Sequence, residues 1–134
     1  MPTKSPSTST DDAAMSVPAH LSLVTLGVTD LARSIEFYEA LGWQRSNASE
    51  DPIAFISLGT VHLALFGVEA LADDARQTPP SGGSGHVREF RGVTLAINVL
   101  SPAAVDRTYA GFVAAGATAV KPPVPAEWGG YSGY

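Results

Sequence analysis

The 134-residue chain contains no cysteine, which removes disulfide frameworks, thiolate metal sites and cysteine nucleophiles together. It is also poor in charge. Only 16% of its residues are Asp, Glu, Lys or Arg, and thirteen acidic side chains outnumber eight basic ones, for a net charge of −5. A chain so short of positive charge lacks the basic face that displaces counterions from nucleic acid or an anionic membrane, so neither is an expected partner. No apolar run approaches the roughly 20 residues that span a bilayer, and no charged-then-apolar signal pattern opens the sequence. The expected location is cytoplasmic. A Gly-rich phosphate loop, a G-x-S-x-G nucleophile elbow and an H-E-x-x-H zinc motif are all missing. What is present is a 45% hydrophobic chain, long enough for one domain with a core of its own.

Residues 1–18 are rich in Ser, Thr and Pro with no periodic apolar face, so they cannot repay the entropy of ordering and are expected to be a disordered tail. Met15 is an alternative start to Met1. Residues 19–134 then form a single domain of two units, 19–69 and 91–134, with 70–90 as a connector whose loosest part is Thr78–Gly85.

The first unit opens on a strand, Leu21 to Val28, with Val24, Leu26 and Val28 on one face and Leu23, Thr25 and Gly27 on the other. Asp30 suits a helix N-cap, Leu31, Ile35, Tyr38 and Leu41 recur at helical spacing, and Gly42 supplies the stop. Trp43 to Asn47 is expected as a short strand. Ile53–Leu58 and Val61–Phe66 read as a hairpin closed by Gly59 and Thr60. The second unit repeats the opening. Gly92 to Val99 reads as a strand, Ser101 and Pro102 as an N-cap and first helical residue, and Val105, Tyr109 and Phe112 as one helical face before Gly116. Ala117 to Val120 starts another strand, which Pro122, Pro123 and Pro125 interrupt. With Val28 set against Val99, Leu26 meets Ile97 and Asp30 meets Ser101, a weak internal repeat with both helices in step.

A strand, a capped helix and three more strands, given twice, resembles the vicinal oxygen chelate superfamily of glyoxalases, bleomycin-resistance proteins and extradiol dioxygenases. VTLGVTDLARSIEFYEALGW is similar to the opening of its first module, and WGGYSGY to the third-strand region of its second. The resemblance implies an α+β fold of paired βαβββ modules that curve their sheets around a cleft, with helices outside. The parity of the strands agrees with that arrangement. Val24, Leu26, Val28, Val61, Leu63, Leu65, Leu95, Ile97 and Val99 make one uniformly aliphatic face. Leu23, Thr25, Gly27, His62, Ala64, Phe66, Thr94, Ala96 and Asn98 make a mixed one, suited to a pocket wall or to a solvated sheet face.

Metal-dependent members of the superfamily hold a divalent cation with His, Gln or Glu from the first and fourth strands of both modules. Here those positions fall on Leu23, Ala64 and Thr94, which offer no such donor. The expectation is no metal and no cofactor, unless a two-residue slip brings His62 into the ligand position. His20 has the helix-facing parity, His86 follows the connector, and Arg88, Glu89 and Arg91 read as a solvated approach to the strand. The second module stops before its fourth strand. That leaves it C-terminally incomplete, with an unpaired edge and low expected stability. A sequence that stops short is favoured, with completion by a partner chain or a true short variant as alternatives.

The expected function is metal-independent binding of a small, partly apolar molecule by a glyoxalase- and bleomycin-resistance-like protein, probed by contacts from His62, Phe66, Thr94, Asn98, Trp128 and Tyr131. Trp128 and Tyr131 either stack on a planar ligand or pack the second sheet. The alternatives are a metal-dependent lyase or dioxygenase and a structural module with no ligand. The resemblance also implies a homodimer.

Overall fold

The computed structural model describes residues 16–47, 49, 52–80 and 90–134. The first fifteen residues of the expected tail, most of Thr78–Gly85, and His86, Arg88 and Glu89 lie outside the described residues.

Strand β1, Leu23–Val28, runs into helix α1, Leu31–Ala40. Asp30 caps it from an extended conformation (φ −137°), its carboxylate accepting the Arg33 N–H at 3.0 Å, an arrangement that contributes about 1 kcal/mol. Gly42 follows the helix at φ +89°, in the left-handed region that ends helices. Strands β2, Ile53–Ser57, and β3, His62–Gly67, form the expected hairpin. Gly59 takes φ +88° in the turn, and the Leu58 N–H donates to the Val61 carbonyl at 3.0 Å. The sheet order is β1-β3-β2, with β1 parallel and β2 antiparallel to β3.

This register puts Val24, Leu26, Ala54, Ile56, Leu63 and Leu65 on one face. Ala54, Ile56, Leu63 and Leu65 are buried there, with Val24, Leu26, Val28, Leu31, Ile35, Tyr38 and Trp43 packed around them. The aliphatic parity is therefore the helix side, and burying a side chain such as Leu65 contributes about 2 kcal/mol.

Three elements depart from expectation. The strand at Trp43–Asn47 is reduced to one bridge, Arg45 to Ile56, with the Ser46 N–H donating to the Phe55 carbonyl at 2.7 Å. Further along β2, the Phe55 N–H donates to the Ser49 hydroxyl at 2.9 Å rather than to a backbone carbonyl. The 70–90 connector does not begin as a loop. Helix α2, Val68–Asp74, follows β3 without a break, and Val68, Leu71 and Ala72 supply an apolar stripe at i, i+3 and i+4.

The third departure is in the second unit, where residues 92–99 are not a strand. No described strand pairs with them, so their backbone has no ladder, and Val93, Leu95 and Ile97 are 71%, 59% and 52% exposed. Helix α3, Pro102–Ala114, forms where expected. The Ser101 hydroxyl accepts the Ala104 N–H at 3.1 Å, and Gly116 sits at φ +117°. Ala117–Val120 is likewise not a strand. Pairing starts later, where Val120 and Lys121 donate to the Tyr134 carbonyl at 3.0 and 2.7 Å. It continues as the two-residue strands β4, Val124–Pro125, and β5, Tyr131–Ser132. Pro122, Pro123 and Pro125 have no N–H to extend the ladder.

Aromatic rings join the two units. Tyr38 stacks on Trp43 with centroids 5.4 Å apart, and Phe112 of α3 lies 6.3 Å from both Phe37 and Trp43, edge-on to the latter. Burial pushes the Tyr38 phenol above its ordinary pKa. Among the described residues no helix is long and apolar enough to cross a membrane.

Candidate functional site

The face of the sheet opposite α1 carries Leu23, Thr25 and Gly27 from β1, Ile53, Phe55 and Ser57 from β2, and His62, Ala64 and Phe66 from β3. Its two ends differ. At one, His62 stands between Leu23 and Ser57 in register, with His62 and Ser57 exposed and Leu23 43% exposed. This end offers an imidazole, a hydroxyl and apolar surface to the same space. At the other, Phe66 is level with Gly27, where helix α2 packs across β1 and β3. Ala64, between the two ends, is 1% exposed.

The six expected contact residues occupy different settings. His62 and Phe66 share one face of β3, but Phe66 lies at the covered end and is half-buried. Thr94 and Asn98 are exposed on the unpaired segment. Trp128 is 78% exposed, and its ring lies so close over Gly130 that a Cβ there would collide with it. Tyr131 turns to α3, where its hydroxyl donates to Asp106 Oδ1 at 2.8 Å. That hydrogen bond, partial burial and the carboxylate's charge, in that order, push the Tyr131 phenol above its ordinary pKa. Of the two roles open to Tyr131, packing is the one this contact serves.

A second concavity lies on the helix side. It is about 350 Å³, between the end of α1 and α3, and is lined by Leu41, Trp43, Ile97, Val99, Thr108 and Phe112. Ile97 and Val99 thus keep the helix-facing parity without belonging to a strand.

Sequence reasoning placed Gly27 on the inner face but missed Val68 and Leu71, which approach it there. The stripe Val68, Leu71, Ala72 was the available signal, hidden by its position next to a Pro- and Gly-rich stretch. It also missed Asp106, an exposed helix position that only the fold pairs with Tyr131.

A resident divalent cation does not fit the described residues. Imidazole or carboxylate donors must converge to replace a cation's water, and among the described residues no three His, Asp or Glu side chains do so. The register neighbours of His62 are Leu23 and Ser57.

A parallel β1–β3 pair beside an antiparallel β2, with α1 on one face and a mixed face opposite, defines an α+β protein built on a one-helix sheet module. Residues 20–134 match the Glyoxalase/Bleomycin resistance protein/Dioxygenase superfamily, and the chain belongs to it. Among solved structures, a glyoxalase-related enzyme from Fulvimarina pelagi is 30% identical, with a TM-score of 0.71 over 87% of this chain and 79% of that one. A glyoxalase/bleomycin resistance protein/dioxygenase from Nocardioides is 22% identical, with a TM-score of 0.66 over 92% and 80%. Lactoylglutathione lyase from Agrobacterium tumefaciens is 17% identical, with a TM-score of 0.57 over 87% and 84%. The last two show a common fold. No curated protein matches the sequence.

Proposed function

We propose that the chain binds a small, partly apolar molecule on the inner face of its sheet, without a metal. The observation that carries this reading is the open end of that face. There His62 supplies a hydrogen-bonding and protonatable group between the apolar Leu23 and the hydroxyl of Ser57. Apolar surface with a few placed polar groups is what small-molecule recognition requires. The positions at which the superfamily holds a cation are Leu23, Ala64 and Thr94, none a suitable donor. Thr94, Asn98 and Trp128 join the wall if residues 92–99 are brought into a sheet. Their exposure, with that of Val93, Leu95 and Ile97, supports a second copy of the chain as the partner.

The test is a thermal-shift screen of single-ring and branched apolar molecules on the wild type and on His62→Ala, together with elemental analysis after soaking in Zn, Ni, Mn and Fe. The expected outcome is a melting point raised by ligand without retained metal, the rise being smaller in His62→Ala. Stoichiometric metal that His62→Ala releases would make the protein a metal-dependent lyase or dioxygenase. A screen with no stabilising molecule would leave a structural module.

A further inference from the structure

The strands of the first sheet carry almost no charge. Residues 16–29 and 52–68, which contain β1, β2 and β3, hold no Asp, Glu, Lys or Arg, and their titratable side chains are His20 and His62. In a chain of net charge −5, the carboxylates begin where these strands stop. Asp30 caps α1 just past the end of β1, and Glu69, Asp73 and Asp74 are exposed on α2, which starts past the end of β3. Because β1 and β3 run parallel, both of those ends lie together, away from His62. Leu23 and Val28 are five steps of about 3.3 Å apart, roughly 16 Å, and physiological salt screens a charge over about 8 Å.

The other charged groups near the sheet leave the His62 end as it is. Glu36 and Glu39 are exposed on α1, which packs on the opposite face. Helix α2 meets β1 at Gly27, four residues from Leu23. Arg45 is exposed and bridged to Ile56, a residue of the helix side. Glu50 and Asp51 precede β2 in sequence and lie outside the described residues. His20 precedes β1 with the helix-facing parity. Among the described residues of this sheet and its helices, the charge on the open end of the inner face is the proton of His62.

His62 and Ser57 are cross-strand partners, and the hairpin closes directly behind them. The Leu58 N–H donates to the Val61 carbonyl and the His62 N–H to the Ser22 carbonyl, each at 3.0 Å. Side chains opposed in an antiparallel pair have Cβ atoms about 5 Å apart. An imidazole N–H and a hydroxyl so placed reach one oxyanion between them, each at about 2.8 Å.

We propose that the open end selects a small acid, a carboxylate or similar oxyanion on one apolar group. Protonated His62 and the Ser57 hydroxyl hold the oxyanion, and Leu23 meets the apolar part. The proposal rests on the ligand reading above and names the class of molecule. A cation finds no carboxylate among the described residues of this end, and a neutral molecule forgoes the charge-assisted hydrogen bond. Affinity for the acid is complete while His62 is protonated. It falls as rising pH removes the proton of an imidazole, the side chain that titrates between about pH 5 and 8.

The absence of cysteine lets this field be read without any ligand. Single cysteines are introduced at the open end (Ser57→Cys) and on α2 (Ala70→Cys), both exposed positions. Each is labelled with anionic sulfonatoethyl and with cationic trimethylammonioethyl methanethiosulfonate. The ratio of the anionic to the cationic rate, relative to that of a small free thiol, cancels the ionisation of the cysteine itself. At about pH 5.5 the ratio is expected above one at 57 and below one at 70, which lies between Glu69 and Asp73. Raising the pH to about 8.5 should lower the ratio at 57 by roughly threefold, the size of one partly screened charge at cross-strand distance. His62→Gln should abolish that change. Should Ser57→Cys misfold by circular dichroism, Thr60→Cys in the exposed turn replaces it with the same expected sign. A ratio at the open end that pH does not move, or that still moves in His62→Gln, overturns the proposal.

Ligand-observed NMR with benzoate, benzyl alcohol and benzylamine tests the selectivity on the cysteine-free chain. At about pH 5.5 the wild type is expected to bind benzoate best and benzylamine not at all. Its affinity for benzoate should fall roughly tenfold by about pH 8.5, as a charge-assisted hydrogen bond becomes a neutral one. In His62→Gln, benzoate should bind equally at both. Equal binding of benzoate and benzyl alcohol by the wild type overturns the selectivity and leaves the ligand reading standing. Binding of none of the three overturns the ligand reading and the selectivity with it, while the thiol ratios still report the charge at His62.

Discussion

The Tyr131 hydroxyl donates a 2.8 Å hydrogen bond to the Asp106 carboxylate, fastening the C-terminal hairpin to the middle of α3. A second bond works beside it, from the Tyr109 hydroxyl of α3 to the Tyr134 carbonyl at 3.1 Å. Gly133 fits beneath, where a Cβ would come within 3.0 Å of the Lys121 carbonyl oxygen, Pro123 N and the Tyr109 ring. Two strands of two residues each hold little by themselves, so these side-chain ties carry much of the hairpin's attachment.

Asp106 raises the Tyr131 pKa, through the hydrogen bond first, so the titration reports the tie. The folded pKa lies above the unfolded value of about 10, and the unfolded chain therefore releases its proton first. The stability this bond contributes is complete below about pH 10 and drains away as the pH climbs through the folded pKa. Absorbance at 295 nm should show one tyrosine in Asp106→Asn ionising earlier than in wild type, with Tyr131→Phe removing that component.

Gly27→Ala is expected to destabilise the protein by about 1–3 kcal/mol, because the new methyl meets the Val68 backbone as well as two movable side chains. The strand conformation itself accepts alanine, whose stiffer unfolded chain would otherwise favour folding by about 0.4–1 kcal/mol, so a net loss belongs to the approach of α2. Urea unfolding measures it, and Leu71→Ala in the same background should relieve part of the cost.

Leu65, fully buried at the centre of the sheet, should cost about 2–5 kcal/mol when cut to alanine. Val113, 42% exposed on α3, should cost no more than about 0.5 kcal/mol on the same change. Chemical denaturation of the two variants side by side checks the contrast.

If a second copy covers residues 92–99, a charge placed there will be felt in the assembly state. Sedimentation velocity should find a dimer for the wild type and a monomer for Leu95→Lys, with α-helical circular dichroism unchanged.

The first unit was legible because its signals are local and agree with one another. Asp30, the Leu31, Ile35, Tyr38 spacing and Gly42 all mark one helix, and the alternation at 23–28 and 61–66 assigns the buried face correctly through Leu63 and Leu65. The same alternation at 92–99 predicted a strand that did not form, because alternation reports which side chains want burial and not whether a neighbour exists to take the backbone hydrogen bonds. Of the candidate site, the face was legible and the contacts were not. Parity assigns His62 to the face opposite α1, and the register has it there beside Leu23 and Ser57. The aromatic run singles out Tyr131, but the partner of its hydroxyl lies 25 residues away on another element. The docking of α2 depends on an absent side chain at Gly27, which a sequence shows only as a glycine.

The parallel pairing of β1 with β3 is complete at Gly67, halfway along the chain, and among the described residues the buried ones lie between Ala54 and Ala72. During synthesis, the residues from there to Tyr134 take roughly 3–13 s to add at about 5–20 residues per second. A hairpin closes in about 1–10 μs. The first sheet thus has time to settle against α1 while the second half is still being added. When Phe112 emerges it meets Phe37 and Trp43 already in place, and the later half of the chain folds onto a surface the earlier half has finished.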